Sequence, residues 1–454
     1  MVIGGGPGGY AAALYGAAAG LKVAVVEKEK VGGTCLHRGC IPAKQFLETA
    51  NVFRTVAGAK EFGVQSDQPT LDFATSQARK QKVVDQLWKG LQGLMKNRKI
   101  TTIAGSGTLH KNKLVKVDDG TELKGKNVII ATGSVPRTLP GFDVDGKYVM
   151  TSDEVLALDR LPSSVAVIGG GAIGCEFASM MSDLGTQVTL LEALPKLLPL
   201  CDADVTNVVA RSFKKRGIDV RTGVKVDGHE PGNGGTTVKV DGDSLTVDAI
   251  VMSIGRRPLS ENLGLDGTKV TLDEKGFVEV DEYCRTNEDG VFAVGDVINT
   301  PQLAHVGYAE GILVMNQLLG EDAVPVEYDK VPWAIYCHPE VGFAGPSEEA
   351  AKEAGHDVVV SKHRWGGNGR ALIIGDTEGL VKVIAEKGPD GKPGQILGVH
   401  IVGPWATEEF IEGWLSVNWE ATVPEVAHLI HPHPTLSESF GDSMLGFYGR
   451  GLHG

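Results

Sequence analysis

A glycine-rich turn followed by an acid is written twice in this chain, and that repetition limits its fold more than any other feature. The first copy is Gly4-Gly-Gly6-Pro-Gly-Gly9, a G-x-G-x-x-G entered directly from Met1-Val2-Ile3. Small residues follow (Ala11 to Ala13, Ala17 to Ala19), which let a helix lie close to a sheet. The run Leu21-Lys-Val-Ala-Val-Val26 then reads as a buried parallel strand that ends at Glu27. The second copy begins with the strand Val165-Ala-Val-Ile168. Gly169, Gly171 and Gly174 come next, then the helix Cys175-Glu176-Phe177-Ala178, then the strand Gln187–Leu191, closed by Glu192. In each copy the acid stands 23 residues after the first glycine. The spacing has a physical reason. The first glycine permits the tight turn and the second lets a backbone approach a pyrophosphate, with the helix N-terminus facing the phosphate charge. The acid is placed to hold ribose hydroxyls. One such motif is weak evidence. Two, each set between strand and helix with its acid in register, specify an α/β protein with two dinucleotide sites.

Two such sites suit FAD and a nicotinamide. Glu192 favours NAD over NADP, because its carboxylate would repel a 2′-phosphate and the following Ala193-Leu194-Pro195-Lys196 offers no arginine. Between the two units lies Cys35-Leu-His-Arg-Gly-Cys40. Of six cysteines (Cys35, Cys40, Cys175, Cys201, Cys284, Cys337), only this pair is close in sequence. Scattered single cysteines fit a reducing compartment, so the pair reads as catalytic or metal-binding and not as a structural staple. Zinc would need about four soft ligands, and beyond His37 no second Cys/His cluster follows at that spacing. A net charge of -13 argues against nucleic acid and anionic membranes. No apolar run reaches the roughly 20 residues of a membrane helix, and the start enters its glycine loop too early for a signal peptide. The expected location is cytoplasmic.

These segments resemble the disulfide-linked flavoprotein oxidoreductases, and among them most nearly the dihydrolipoamide dehydrogenases, over nearly the whole chain. Gly32-Gly-Thr-Cys35-Leu-His-Arg-Gly-Cys40-Ile-Pro-Ala-Lys44 is similar to their redox segment. Ala131-Thr-Gly-Ser-Val-Pro136 and Val294-Gly-Asp296 are similar to later flavin contacts, Gly255-Arg-Arg-Pro258 to the end of the NAD domain, and His431-Pro-His433-Pro-Thr-Leu-Ser-Glu438 to the catalytic motif. The resemblance implies two Rossmann-like nucleotide-binding domains plus an α+β dimerisation domain. Its parts are an FAD domain (1–142), an NAD domain (143–262), a central FAD segment (263–330) and an interface domain (331–454). It implies FAD contacts at Gly4, Gly6, Gly9, Glu27, Gly33, Thr34, Lys44, Gly107, Thr132, Gly133, Ser134, Asp296, Leu303, Ala304 and His305. The implied NAD contacts are Gly169, Gly171, Ala172, Ile173, Gly174, Glu176, Glu192, Val224 and Gly255, with Lys44 paired to Glu176.

The implied reaction is oxidation of protein-bound dihydrolipoamide with hydride passed to NAD. Cys40 is implied to lie against the flavin and Cys35 to exchange with substrate, although the spacing alone does not separate the two roles. His433 is the implied base, oriented by Glu438, with His431 as its rival. Its side-chain chemistry suits proton transfer near neutrality, and Pro432 and Pro434 keep it out of a helix interior. The implied assembly is a homodimer whose base comes from the other copy, serving the lipoyl domains of a 2-oxo acid dehydrogenase or glycine-cleavage complex. Within the family the alternatives are mycothiol-, glutathione- or mercuric-type reductases. Glu192 argues against the NADP-preferring glutathione type, and the ending Gly451-Leu-His-Gly454 lacks the cysteine pair of the mercuric type. A non-catalytic FAD-binding subunit would have no need of Cys35, Cys40, His433 and Glu438 together.

Three features depart from the pattern. His37-Arg38 stands where relatives commonly carry Asn-Val, and a solvent-facing variation is favoured over tuning of the thiols. Only three residues precede Gly4, against the usual 5–6 of a strand. That brevity raises the expectation of further chain upstream, and of weakened FAD binding or stability without it. Trp405, Trp414 and Trp419 enrich the last domain and read as packing or dimer anchors.

Overall fold

The computed structural model describes residues 1–453. Each glycine motif opens from the central strand of its own five-stranded parallel sheet. The first sheet runs Val291–Ala293, Val128–Ile130, Val2–Ile3, Ala24–Glu27, Thr101–Ala104. The second runs Asp219–Thr222, Gln187–Glu192, Ser164–Ile168, Ala249–Met252, Val149–Met150. All neighbouring pairs in both are parallel. Their central residues, among them Val2, Val25, Ile130, Val165, Val167 and Leu190, are buried on both faces, which explains continuous apolar runs in place of alternation.

The strand expected from Leu21 is shorter, Ala24–Glu27, its four residues paired with Thr101–Ala104 while Val2–Ile3 opposes only Val25 and Val26. Val291–Ala293 completes the first sheet from far along the chain, and Ala304–Leu319 packs across Pro7–Ala18. That crossing is close: a Cβ on Gly311 would lie 2.6 Å from the Gly8 carbonyl oxygen. A two-stranded antiparallel ribbon, Ser134–Pro136 with Arg256–Pro258, ties the two nucleotide units together.

Asp241-Gly242, set between the alternating residues of Val238–Val247, is a hairpin signal, and the hairpin forms from Gly235–Val240 and Asp243–Val247. Its two central residues, Asp241 and Gly242, both have positive φ, as a tight hairpin turn requires. The last part of the chain is an antiparallel sheet in the order Trp333–Ile335, Glu340–Ala344, Pro393–Gly403, Leu380–Lys387, Val358–Arg364. The helices Ile411–Asn418 and Glu438–Gly446 pack on it around Phe410, Val417, Phe440 and Met444. The turn-rich Gly388–Gly394 joins two of its strands. Among the described residues, no helix is long and apolar enough to cross a membrane.

Candidate active site

A cleft of about 1850 Å³ lies at the carboxyl ends of the two parallel sheets and is lined by both glycine loops and both close cysteines. Ligand pockets usually measure about 300–1,000 Å³, so this one has room for two extended cofactors. The loops are shaped for phosphate. Gly4 and Gly169 adopt φ of 102° and 108°, and a Cβ on either would overlap the carbonyl oxygen of Ala131 or Ser253. Around Gly171 a Cβ would meet nothing within 4 Å, which leaves the backbone open to close approach. The helices that follow, Pro7–Ala18 and Ala172–Asp183, begin with no side-chain cap, so their first N–H groups and positive dipole ends face the cleft. These cradles fit dinucleotide pyrophosphates.

Gly9 and Gly174 stand apart from the other expected cofactor contacts, because neither lines the cleft. A Cβ on Gly9 would overlap the Gly4 carbonyl oxygen, and one on Gly174 the Gly169 carbonyl oxygen. Both bring helix against strand and shape the site from behind. Each acid braces its own loop. Glu27 accepts from the backbone N–H of Gly5 at 2.6 Å and of Glu29 at 2.8 Å. Glu192 accepts from Gly170 at 2.5 Å and Leu194 at 2.7 Å. Lys196, the one cation in the segment after Glu192, donates to the Cys201 carbonyl and not into the cleft.

The cysteine pair lies on two successive helices. Gly32, at φ 113°, turns the chain into Gly33–Arg38; Gly39 interrupts it; Cys40 opens Cys40–Gly58. A hydrogen bond from the Cys35 thiol, with help from nearby Lys44, holds the Cys40 thiol below its ordinary range. Its place on the first turn of a helix acts in the same direction. The same hydrogen bond, together with burial, pushes Cys35 up. At the head of its helix and beside Lys44, Cys40 has the surroundings that favour a thiolate.

Lys44 donates to both oxygens of Glu176 at 2.9 Å, and Glu176 also accepts from the Tyr336 backbone at 2.9 Å. Burial alone would lower the Lys44 ammonium, but the Glu176 carboxylate outweighs it and raises it. Three distant stretches of chain meet in this cluster at the cleft wall. Ser134 donates to Asp296 at 2.5 Å while Arg256 donates to the Ser134 hydroxyl at 2.7 Å and carbonyl at 2.8 Å. Gly6, Gly33, Thr34, Gly107, Thr132, Gly133, Leu303, Ala304, His305, Ala172, Ile173, Val224 and Gly255 also line the cleft.

His37 and Arg38 line the cleft too, but their side chains are held by other groups. The His37 Nε2 lies 3.0 Å from the Val31 carbonyl, with its ring edge-on to Trp88. Arg38 pairs with Glu29 at 2.9 Å and approaches Asp153.

His433 and Glu438 do not reach the cleft within one chain. They form their own pair on the last domain, His433 Nδ1 lying 2.9 Å from Glu438 Oε2. Glu438 is buried, and the imidazole is 66% exposed. His431 is occupied by Glu412, 2.9 Å from its Nε2. On the same domain Trp419, Leu429 and Ile430 are exposed, Ile430 almost completely, whereas Trp414 packs on the domain core.

Two features had no signal in the sequence. One is Arg256 as the bracket of Ser134. The other is the hydroxyl pair Tyr10–Tyr308, 2.6 Å apart and close enough to the thiols for burial and their charge to raise both phenols.

Residues 1–311 match the family described as Pyridine nucleotide-disulphide oxidoreductase, and residues 331–444 match its dimerisation domain. A dihydrolipoyl dehydrogenase from Bacillus subtilis is 42% identical over 100% of this chain and 98% of its own length. The mitochondrial dihydrolipoyl dehydrogenase of Pisum sativum is 37% identical over 100% of this chain and 92% of its own. Among solved structures, LpdA from Mycobacterium tuberculosis superposes with a TM-score of 0.91 at 26% identity, covering 98% of both chains. The HOCl-induced flavoprotein disulfide reductase RclA from Escherichia coli gives 0.87 at 27% identity, again over 98% of both. The family works with FAD and NAD. With its two nucleotide cradles flanking one cysteine pair, the chain belongs to the pyridine nucleotide-disulphide oxidoreductase family.

Proposed function

We propose that this chain is an NAD-dependent dihydrolipoyl dehydrogenase that oxidises a protein-bound dihydrolipoamide through Cys35 and Cys40. The observation that carries this reading is the placement of the pair: both thiols line the cleft that both glycine loops line. A substrate thiolate attacks Cys35 of the Cys35–Cys40 disulfide, and Cys40 leaves as the thiolate its surroundings favour. The second substrate thiol then attacks the mixed disulfide, releasing lipoamide and the Cys35 thiol. FAD, when bound, carries the electron pair from the dithiol to NAD. Lys44, held by Glu176, sets a fixed positive charge in the cleft wall beside Cys40.

Each substrate thiol must lose a proton before it attacks. His433, with Nδ1 held by Glu438, presents a free Nε2 for that task. Because the imidazole lies outside its own chain's cleft, the partner subunit's His433 completes the site in a homodimer. The exposed Leu429 and Ile430, a few residues before it in the chain, belong to the apolar surface that such association would cover. The physiological partner is a lipoyl domain of a 2-oxo acid dehydrogenase or glycine-cleavage complex. Preference for NAD follows from Glu192, whose carboxylate would face a 2′-phosphate with no arginine to offset it.

The test is a paired assay of NADH against NADPH, with lipoamide against glutathione disulfide. Turnover with NADH and lipoamide is expected. Turnover with NADPH and glutathione disulfide in its place would overturn both the substrate and the nucleotide assignment.

A further inference from the structure

Asn368 is a buried amide that takes no part in nucleotide binding or proton transfer, yet it bonds directly to the segment that carries His433. It is 1% exposed, so its polar atoms must find partners inside the protein. Its Nδ2 donates to the Thr435 carbonyl at 2.9 Å and to the Ser439 hydroxyl at 2.8 Å. Its Oδ1 accepts from the Ala371 N–H at 2.9 Å. A carboxamide supplies two donors and an acceptor from one short side chain, and all of them are used here on three different stretches of chain.

Each partner has a place in the fold. Ala371 belongs to the short helix Gly369–Ile374, whose N-terminus Asn368 caps. Thr435 lies two residues after His433, and Ser439 follows Glu438 on the helix Glu438–Gly446. Thr435 also braces the segment from within, its hydroxyl donating to the Pro432 carbonyl at 2.7 Å. Among the described residues, Asn368 is the only side chain from outside residues 432–438 that hydrogen-bonds their backbone. Asn368 is itself held. Its N–H donates to the Trp365 carbonyl at 2.9 Å, and the buried indole of Trp365 donates to the Val402 carbonyl at 2.7 Å, on the long strand Pro393–Gly403. A continuous set of bonds thus runs from the sheet through Trp365 and Asn368 to the His433 segment.

We propose that Asn368 is a positioning residue for His433: by tying Thr435 to Ser439 it fixes the loop and the helix that together aim the imidazole. The proposal rests on reading His433 as the base. The imidazole is 66% exposed, so its direction is set by Glu438 and by the backbone of its segment more than by packing. Glu438 comes from the helix and His433 from the loop, and the amide of Asn368 bonds both elements at once. Without those two donors the loop can shift against the helix, and the His433–Glu438 pair shifts with it. In the homodimer the imidazole must meet a substrate thiol in the other copy's cleft. A displacement of about 1 Å at a group of this kind can cost about a hundredfold in rate.

The experiment uses the FAD-loaded homodimer of the parent, Asn368→Ser and Asn368→Asp. Ser and Asp both keep an oxygen that can cap Gly369–Ile374, and neither has the amide donors that reach Thr435 and Ser439. Two rates are compared. Dihydrolipoamide oxidation by NAD needs the base, whereas NADH oxidation by ferricyanide passes through nucleotide and flavin and needs no proton taken from a thiol. In both variants kcat for dihydrolipoamide should fall by about 10- to 100-fold, with its KM and the ferricyanide rate close to those of the parent. Hydrogen–deuterium exchange in the peptide that holds residues 429–438 should quicken, a readout that needs no turnover. Equal loss of both rates, the mark of a merely structural role, would overturn the proposal. So would a dihydrolipoamide rate at the parent value, or unchanged exchange. His433→Gln in the same assays separates the two readings. If it keeps dihydrolipoamide turnover, the base assignment has failed, while the exchange measurement still decides whether Asn368 holds the segment.

Discussion

Gly174→Ala should separate the two nucleotide sites. The added Cβ would overlap the Gly169 carbonyl oxygen and lie 2.7 Å from Ser253 Oγ, inside the 3.0 Å that real Cβ atoms keep. Ser253 Oγ can rotate away, but the Gly169 oxygen is backbone in the nucleotide loop itself. The helix Ala172–Asp183 must therefore move from its strand by roughly 1 Å, a displacement that can cost about a hundredfold at a positioned site. Overpacking of this kind costs about 1–3 kcal/mol, and each 1.4 kcal/mol withdrawn from binding is about tenfold in affinity. The expected result is a KM for NAD raised by about 10- to 100-fold and a lowered Tm. FAD content, read from its absorbance in the purified protein, should stay close to that of the parent, because the Gly4–Gly9 loop is untouched. Gly90→Ala, where a Cβ meets nothing within 4 Å in an exposed helix, is the control and should be neutral or slightly stabilising. An unchanged KM for NAD in folded Gly174→Ala would refute the argument that this glycine shapes the second cradle.

Two further outcomes follow from the geometry. His433→Gln should retain FAD and Tm yet lose dihydrolipoamide turnover by about 10²–10⁴-fold. Mixing it with Cys40→Ser chains under conditions that exchange subunits should restore activity, whereas two inactive partners that stay inactive would contradict a site shared between copies. Lys382→Met should destabilise the fold by about 3 kcal/mol in denaturant titration, since it removes the buried cation that bonds Asp202 at 2.9 Å and Asp204 and Glu348 at 2.7 Å. Burial alone would raise Asp202, but the hydrogen bond from Lys382 and two backbone N–H groups hold it below the usual carboxylate range. Asp204 and Glu348 are likewise held down. For groups depressed in the folded state, the stabilisation is full above the unfolded carboxylate pKa of about 4 and is lost as pH falls through the lower folded values. The parent should thus lose more stability than Lys382→Met on acidification, and parallel losses would refute the assignment.

What the sequence disclosed was what short-range pattern can encode. The glycine loops, the acids in register, the parallel strands and the Asp241-Gly242 hairpin all depend on neighbours in sequence. So does the pairing of His433 with Glu438, which lie five residues apart. The interactions that build the cleft wall do not. Glu176 meets Lys44 and the Tyr336 backbone across separations of 132 and 160 residues, and Arg256 reaches Ser134 across 122. No periodicity records such contacts. The inequality of Cys35 and Cys40 was hidden for a similar reason, because it depends on a helix boundary at Gly39 and on how the two sulfurs face each other. Gly9 and Gly174 fit the motif as well as their neighbours do, and only the packed backbone shows that they support the cradle without lining it.

The central claim, that electrons enter and leave through Cys35 and Cys40, is open to direct measurement by counting alkylated cysteines under anaerobic conditions. In the oxidised protein neither of the two should react. After NADH is added, both should be labelled, and lipoamide should protect them again. Cys175, Cys201, Cys284 and Cys337, all buried, should stay unlabelled throughout. Equal labelling of Cys35 and Cys40 before and after NADH, or labelling that requires NADPH, would contradict the account.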